Sequence, residues 1–157
     1  MSNRLWIYQC DRILSEEDAS SLTSRMQEFC DNWQAHGKQL EAKAQVLENA
    51  FLILSVNEAL AEATGCSIDS SVHFLQKVAA DLNIDFFNRL NAVYLDNDKA
   101  VIVHSSKLDD LYQAGKIQDE TIFFNPLIQS DSQFVSTWKI PFSEHWSYRN
   151  VKQNNPA

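Results

Sequence analysis

The order of hydrophobic patterns along this chain predicts an α+β fold: a single domain with a mainly antiparallel sheet and about four helices packed largely on one face. Three observations carry that expectation. Apolar residues recur every three or four positions over residues 16–33 and again over residues 68–82, the period of helices with one buried stripe. The continuous apolar run Ala50-Phe51-Leu52-Ile53-Leu54-Ser55-Val56 has the length and composition of a central strand. Residues 91–95 and 100–104, both β-prone, flank Asp96-Asn97-Asp98-Lys99, a hairpin signal. Strands and helices mix without regular βαβ units.

The elements follow in order. Leu5-Trp6-Ile7-Tyr8 reads as a first strand. Ser15, three residues before Asp18, caps a helix over residues 16–33 whose stripe is Ala19, Leu22, Met26, Phe29 and Trp33, with Gly37 as its stop. Residues 42–56 form either one strand with an edge-like approach or two strands broken near Glu48-Asn49. Residues 57–64 make a short helical turn closed by Gly65. Ser67 or Asp69 then caps a second helix bearing Ile68, Val72, Leu75, Val78 or Ala79, and Leu82. After the hairpin, Ser106 and Asp109 open a third short helix that Gly115 ends. Thr121-Ile122-Phe123-Phe124 is a strand stopped by Asn125-Pro126, and Ser130 with Gln133 opens a last helix that Pro141 cannot extend. The domain is expected to span residues 1–151, with 152–157 as a frayed tail.

Composition bounds the function. A chain of 157 residues with 45% hydrophobic and 22% charged residues is ordinary globular material, and three glycines leave no room for a glycine-rich architecture. A formal net charge of -8 argues against non-specific binding to nucleic acid or to an anionic membrane, both of which draw on Lys and Arg contacts to phosphate. No apolar run is long enough to span a bilayer, and the opening residues lack the basic and apolar regions of a signal peptide. Cys10, Cys30 and Cys66 are odd in number and show no paired spacing, which fits a reducing, cytoplasmic setting better than a disulfide framework or a zinc site.

Four side chains could carry chemistry. Cys66 stands at the start of the second helix, where unpaired N–H groups and the macrodipole favour a thiolate, and His36 or His145 could act as its base. Its plainer role is a small buried residue. Asp69, His73 and Lys77 lie four apart on one helical stripe, which reads as a solvated row of paired charges; Asp69 and His73 alone are too few ligands for a metal. His36, just past a helix end, suits the capping of free carbonyls. Gly37-Lys38 is not a phosphate loop, because Asn32 and Gln39 stand where that loop needs an earlier Gly and a following Ser or Thr. No catalytic set is complete, and no cofactor or metal site is expected. Phe123, Phe124, Phe134, Trp138, Phe142, Trp146 and Tyr148 crowd the last third of the chain; their helical or alternating spacing reads first as core, and a surplus that a domain of this size does not hide could line a ligand pocket or a homodimer face.

Trp6-Ile7-Tyr8-Gln9, Trp33-Gln34-Ala35-His36-Gly37, Gly65-Cys66-Ser67-Ile68-Asp69-Ser70-Ser71-Val72, Phe124-Asn125-Pro126-Leu127, and Trp138 before Pro141 resemble the pattern of a small family of bacterial proteins of similar length. Its members have no established activity and are sometimes labelled "ABC transporter ATPase", a label at odds with the missing nucleotide loop. The resemblance implies a free-standing bacterial cytoplasmic domain and assigns no role to any segment. The expected function is a module that binds a small molecule or a protein. The alternative is a thiol- or acid/base-dependent enzyme built on Cys66 and Asp69 with His36 or His145.

Overall fold

The computed structural model describes residues 3–149 and 151; the expected frayed tail, 152–157, lies outside them. The fold is α+β, and among the described residues four α-helices stand beside strands that all pair antiparallel. The strands divide into two stacked sheets and a small hairpin.

Strand β1 (Arg4–Gln9) leads through Cys10 to helix α1 (Glu16–Asp31), which Ser15 caps by accepting the Asp18 N–H. The helix ends two residues short of Trp33, which the sequence pattern places inside it. The cause lies immediately downstream. His36 (φ 52°) and Gly37 (φ 76°) form a two-residue turn between β2 (Gln34–Ala35) and β3 (Lys38–Gln39), and strands this close to the turn force the chain out of helical geometry.

Strands β4 (Glu41–Leu47) and β5 (Phe51–Asn57) resolve the two readings of residues 42–56 in favour of a break. Glu48 (φ 57°) and Asn49 (φ 50°) turn the chain there. Strand β5 lies between β1 and β4 in the first sheet. Its residues alternate between two apolar environments, so it reads as a continuous apolar run. Leu52, Leu54 and Val56 meet Leu22 and Met26 of α1 and Leu75 and Val78 of the second long helix. Phe51, on the other face, meets Val93, Phe124 and Trp138 of the second sheet.

Helix α2 (Gly65–Leu82) begins earlier than its apolar stripe suggests. Gly65 is its first residue and not the stop of a preceding turn. The cap is Thr64, in a reciprocal box with Ser67: the Thr64 N–H donates to Ser67 Oγ at 2.7 Å and the Ser67 N–H to Thr64 Oγ1 at 3.4 Å. Asn83 ends the helix in the left-handed region, where Asn is tolerated.

The second sheet has the order β7-β6-β8-β9, from β6 (Asn91–Asp96), β7 (Lys99–His104), β8 (Ile122–Phe124) and β9 (Lys139–Pro141). Asn97 (φ 50°) and Asp98 (φ 65°) make the tight turn of the expected hairpin. Its outer face, Ala92, Tyr94 and Phe123, is covered by Leu108 of α3 (Leu108–Gln113) and by Ile117, Phe142 and Val151. Helix α4 (Asp131–Thr137), capped by Ser130, packs Phe134 on Trp138. The order through the molecule is therefore long helices, first sheet, second sheet, then α3 with the C-terminal segment. No helix among the described residues is long and apolar enough to cross a membrane.

Candidate functional site

The four chemical candidates fall in three places. Cys66 and Asp69 are exposed in the first turns of α2, so Cys66 is not the small buried residue of its plainer reading. His36 is exposed at the tip of the β2–β3 turn. That hairpin is tied to α2, since Trp33 Nε1 donates to the Ser67 carbonyl at 2.8 Å. No hydrogen bond joins His36, Cys66 and Asp69 among the described residues. The capping role expected of His36 is performed by Gln39, whose Nε2 donates to the Cys30 carbonyl at 3.3 Å, and by Asn32, whose Nδ2 donates to Glu28.

His145 is on the far side of both sheets from α2, 4% exposed and 4.9 Å from the Phe123 ring. Its Nδ1 accepts the Ser147 N–H at 3.2 Å and contacts Ser147 Oγ at 2.7 Å. Accepting there places the proton of the neutral ring on Nε2, which is buried with no hydrogen-bond partner. Burial pushes its pKa down to about 4, against the opposing pull of the Phe124 backbone. His104 repeats the motif two residues ahead of Ser106, with Nδ1 accepting the Ser106 N–H at 3.2 Å; both histidines cap short turns. Burial also pushes the Cys10 and Cys30 thiols up to about 12, aided by the neighbouring Asp11 and Asp31 carboxylates. Among the described residues no three His, Cys, Asp or Glu side chains gather as a metal site.

The apolar concavity of the molecule lies elsewhere. A cleft of about 370 Å³ is lined by Ile7, Tyr8 and Gln9 of β1, residues 86–89, Pro126, Leu127 and Trp146. A larger groove beside α1 is shallow and lined mostly by Glu, Ser, Thr and Gln side chains, the ordinary solvated face of a helix.

Local turn chemistry builds the cleft. Beyond Asn83 the chain is held by side-chain caps: Asp11 Oδ1 accepts the Asp85 N–H at 3.0 Å, Asp85 Oδ1 the Phe87 N–H at 2.8 Å, and Asn88 Oδ1 the Leu90 N–H at 3.0 Å. Phe86 is thereby buried, while Phe87 stays 41% exposed with its ring edge-on to Tyr8 at 6.0 Å. Opposite, Asn125 Oδ1 accepts the Leu127 N–H at 3.1 Å and presents Leu127, 68% exposed. The indole of Trp146 is fixed between buried His145 and Ser147, 5.2 Å from the imidazole.

Polar groups at this cleft are few. Gln9 Nε2 donates to the Asn91 carbonyl at 2.9 Å, leaving its Oε1 buried without a partner. Arg89 is exposed and pairs with no described residue. The Tyr8 phenol is raised by burial, with the Ser71 hydroxyl opposing that rise. Sequence patterns pointed to Trp146 through the aromatic surplus, and to Ile7, Tyr8, Gln9, Pro126 and Leu127 only as parts of the family pattern. Phe87 and Arg89 were missed; the signal available was a Phe-Phe pair directly after a helix end. Compared with protein-family models, curated proteins and solved structures, the chain matches none of them.

Proposed function

We propose that this chain is a binding module whose ligand enters the cleft between β1, residues 86–89, Pro126, Leu127 and Trp146. One observation carries the reading: the aromatic and aliphatic walls enclose about 370 Å³, within the usual range of ligand sites, and a single unpaired guanidinium, Arg89, stands at their rim. Such a site takes a flat or aliphatic group carrying a hydrogen-bond acceptor or a negative charge. Apolar burial supplies the affinity and Arg89 the orientation. The same reading places the chain in the bacterial cytoplasm, a setting supported by its three free thiols.

Titration of isotope-labelled protein with anilinonaphthalene sulfonate, an aromatic anion, tests the reading. Shifts confined to Phe87, Leu127 and the Trp146 indole are expected. Saturable binding that leaves these signals in place, or no binding, overturns the assignment.

A further inference from the structure

We infer that the occupant of this cleft is an extended peptide of a protein partner, which adds as a strand to the free edge of β1 and sets an acidic side chain against Arg89. The inference rests on the binding-module reading and narrows its ligand to one class.

The first ground is which residues border the cleft. Ile7, Tyr8 and Gln9 are consecutive in a strand, so their side chains point alternately to opposite faces. Ile7 packs between the two sheets and Tyr8 against the helices. Three such residues can border one cavity only along the edge of the strand, where backbone as well as side chain is presented.

The second ground is the hydrogen-bond parity of β1. Cys10 donates inward to Ala50, and Leu5 donates outward to the Gln129 carbonyl at 2.9 Å. Even-numbered peptide groups therefore serve the ladder with β5, and odd-numbered ones face away from it. Ile7 and Gln9 turn their N–H and C=O groups outward, toward the cleft, and no described residue hydrogen-bonds them there. They span about 7 Å at the usual strand rise.

The third ground is that the chain begins to cover this edge and stops. Arg4 bridges Ser130, with the Asp131 N–H donating to Asn3 and the Leu5 N–H to Gln129. Continuing toward Gln9 in this register would use the donors of Gln129, Leu127 and Asn125. The Gln129 N–H goes to Gln133 Oε1 at 2.8 Å, the Leu127 N–H to Asn125 Oδ1, and the Asn125 N–H to the Trp138 carbonyl at 2.8 Å. The segment peels away and leaves a wedge. The opposite edge of this sheet is treated differently: the outward Ala44 N–H on β4 is satisfied by Gln27 Oε1 of α1 at 2.9 Å. An edge left open between apolar walls is the geometry of strand addition, in which backbone bonds give affinity and side-chain pockets give choice.

Charge selects the partner. Arg89 is exposed and unpaired, while the nearby Asp11 and Asp85 carboxylates are engaged with backbone N–H groups. An acidic residue beside an apolar one satisfies both the guanidinium and the walls.

The experiment selects a phage-displayed random-peptide library against the full chain, then titrates labelled protein with the strongest peptide. Enriched peptides are expected to pair an acidic with an apolar residue and to slow amide exchange at Ile7 and Gln9 by about tenfold or more at saturation. Amidating the acidic side chain, or Arg89→Gln in the protein, is expected to weaken binding about tenfold; N-methylating alternate peptide nitrogens should abolish it. Absence of enrichment, or binding that leaves Ile7 and Gln9 exchange unchanged, overturns the inference. So does concentration-dependent protection of those amides without peptide, which would make a second copy the occupant. Anilinonaphthalene sulfonate separates the two levels: if it binds at Phe87 and Leu127 while no peptide does, the cleft stands as a ligand site and only the peptide falls.

Discussion

The indole of Trp33 donates a 2.8 Å hydrogen bond to the backbone carbonyl of Ser67, joining the exit of α1 to the first turn of α2. Both residues are buried, so the bond is shielded from water and neither group has a solvent substitute.

Trp33→Phe keeps most of the apolar contact with Trp6 and Phe29 but removes the second hydrogen bond to the Ser67 carbonyl, which keeps its place in the helical ladder of α2. A loss of about 0.5–1.5 kcal/mol is expected. Trp33→Ala also removes the ring, with an expected loss of roughly 3–5 kcal/mol. Urea denaturation of the two variants checks both values; a Phe variant as stable as the parent would mean that the bond contributes nothing.

His145 makes stability depend on pH. The unfolded imidazole takes a proton near 6.5, whereas the buried one resists until about 4. Between these values the unfolded state binds more protons, so this contribution is intact above pH 6.5 and is lost progressively as the pH falls toward 4. The loss should reach roughly 3 kcal/mol. His145→Asn keeps an acceptor for the Ser147 N–H and has no ring to protonate, so its stability curve should be flatter across that window. Denaturation midpoints measured from pH 4 to 7 make the comparison.

Thiol accessibility divides the cysteines. Ellman's reagent at neutral pH should modify one thiol of the native protein quickly, and Cys66→Ser should remove that phase. Cys10 and Cys30, buried and pushed up to about 12, should react only on unfolding. Rapid modification of two thiols would contradict the packing of α1 and β1.

Glu48 (φ 57°) and Asp98 (φ 65°) are among the non-glycine turn residues that occupy left-handed backbone. Glycine adopts that region without steric cost, so Glu48→Gly and Asp98→Gly are each expected to be neutral or to stabilise the fold by up to about 1 kcal/mol. Thermal unfolding measures the effect. A clear loss at either position would show that its side chain does more than turn the chain.

The α+β class, the break-prone residues Glu48-Asn49 and the 91–104 hairpin were legible because period and turn chemistry are local. The end of α1 was not: its apolar stripe runs through Trp33, and only the tertiary bond to Ser67 and the His36-Gly37 turn pull that residue out of the helix. The start of α2 was misplaced for a related reason. Thr64, four residues ahead of the first apolar position Ile68, caps the helix together with Ser67, and a glycine at the first helical position looks like a stop. The cleft was the least legible feature. Its walls come from four separate parts of the chain, and its decisive property, which peptide groups of β1 face outward, is fixed by pairing with Ala50 and Gln129 and not by side-chain type. Cys66, the candidate most visible in the sequence, lies outside it.

Strand β5 contributes one face to each of two apolar layers, with Leu52 and Leu54 on the helical side and Phe51 on the side of the second sheet. Neither layer can come apart while the other keeps its half of that strand, so the two ends of the molecule share a single melting event. Calorimetric and van't Hoff enthalpies should therefore agree, and a β5 substitution such as Leu52→Ala should lower the transition seen by Trp33 and the one seen by Trp138 by the same amount.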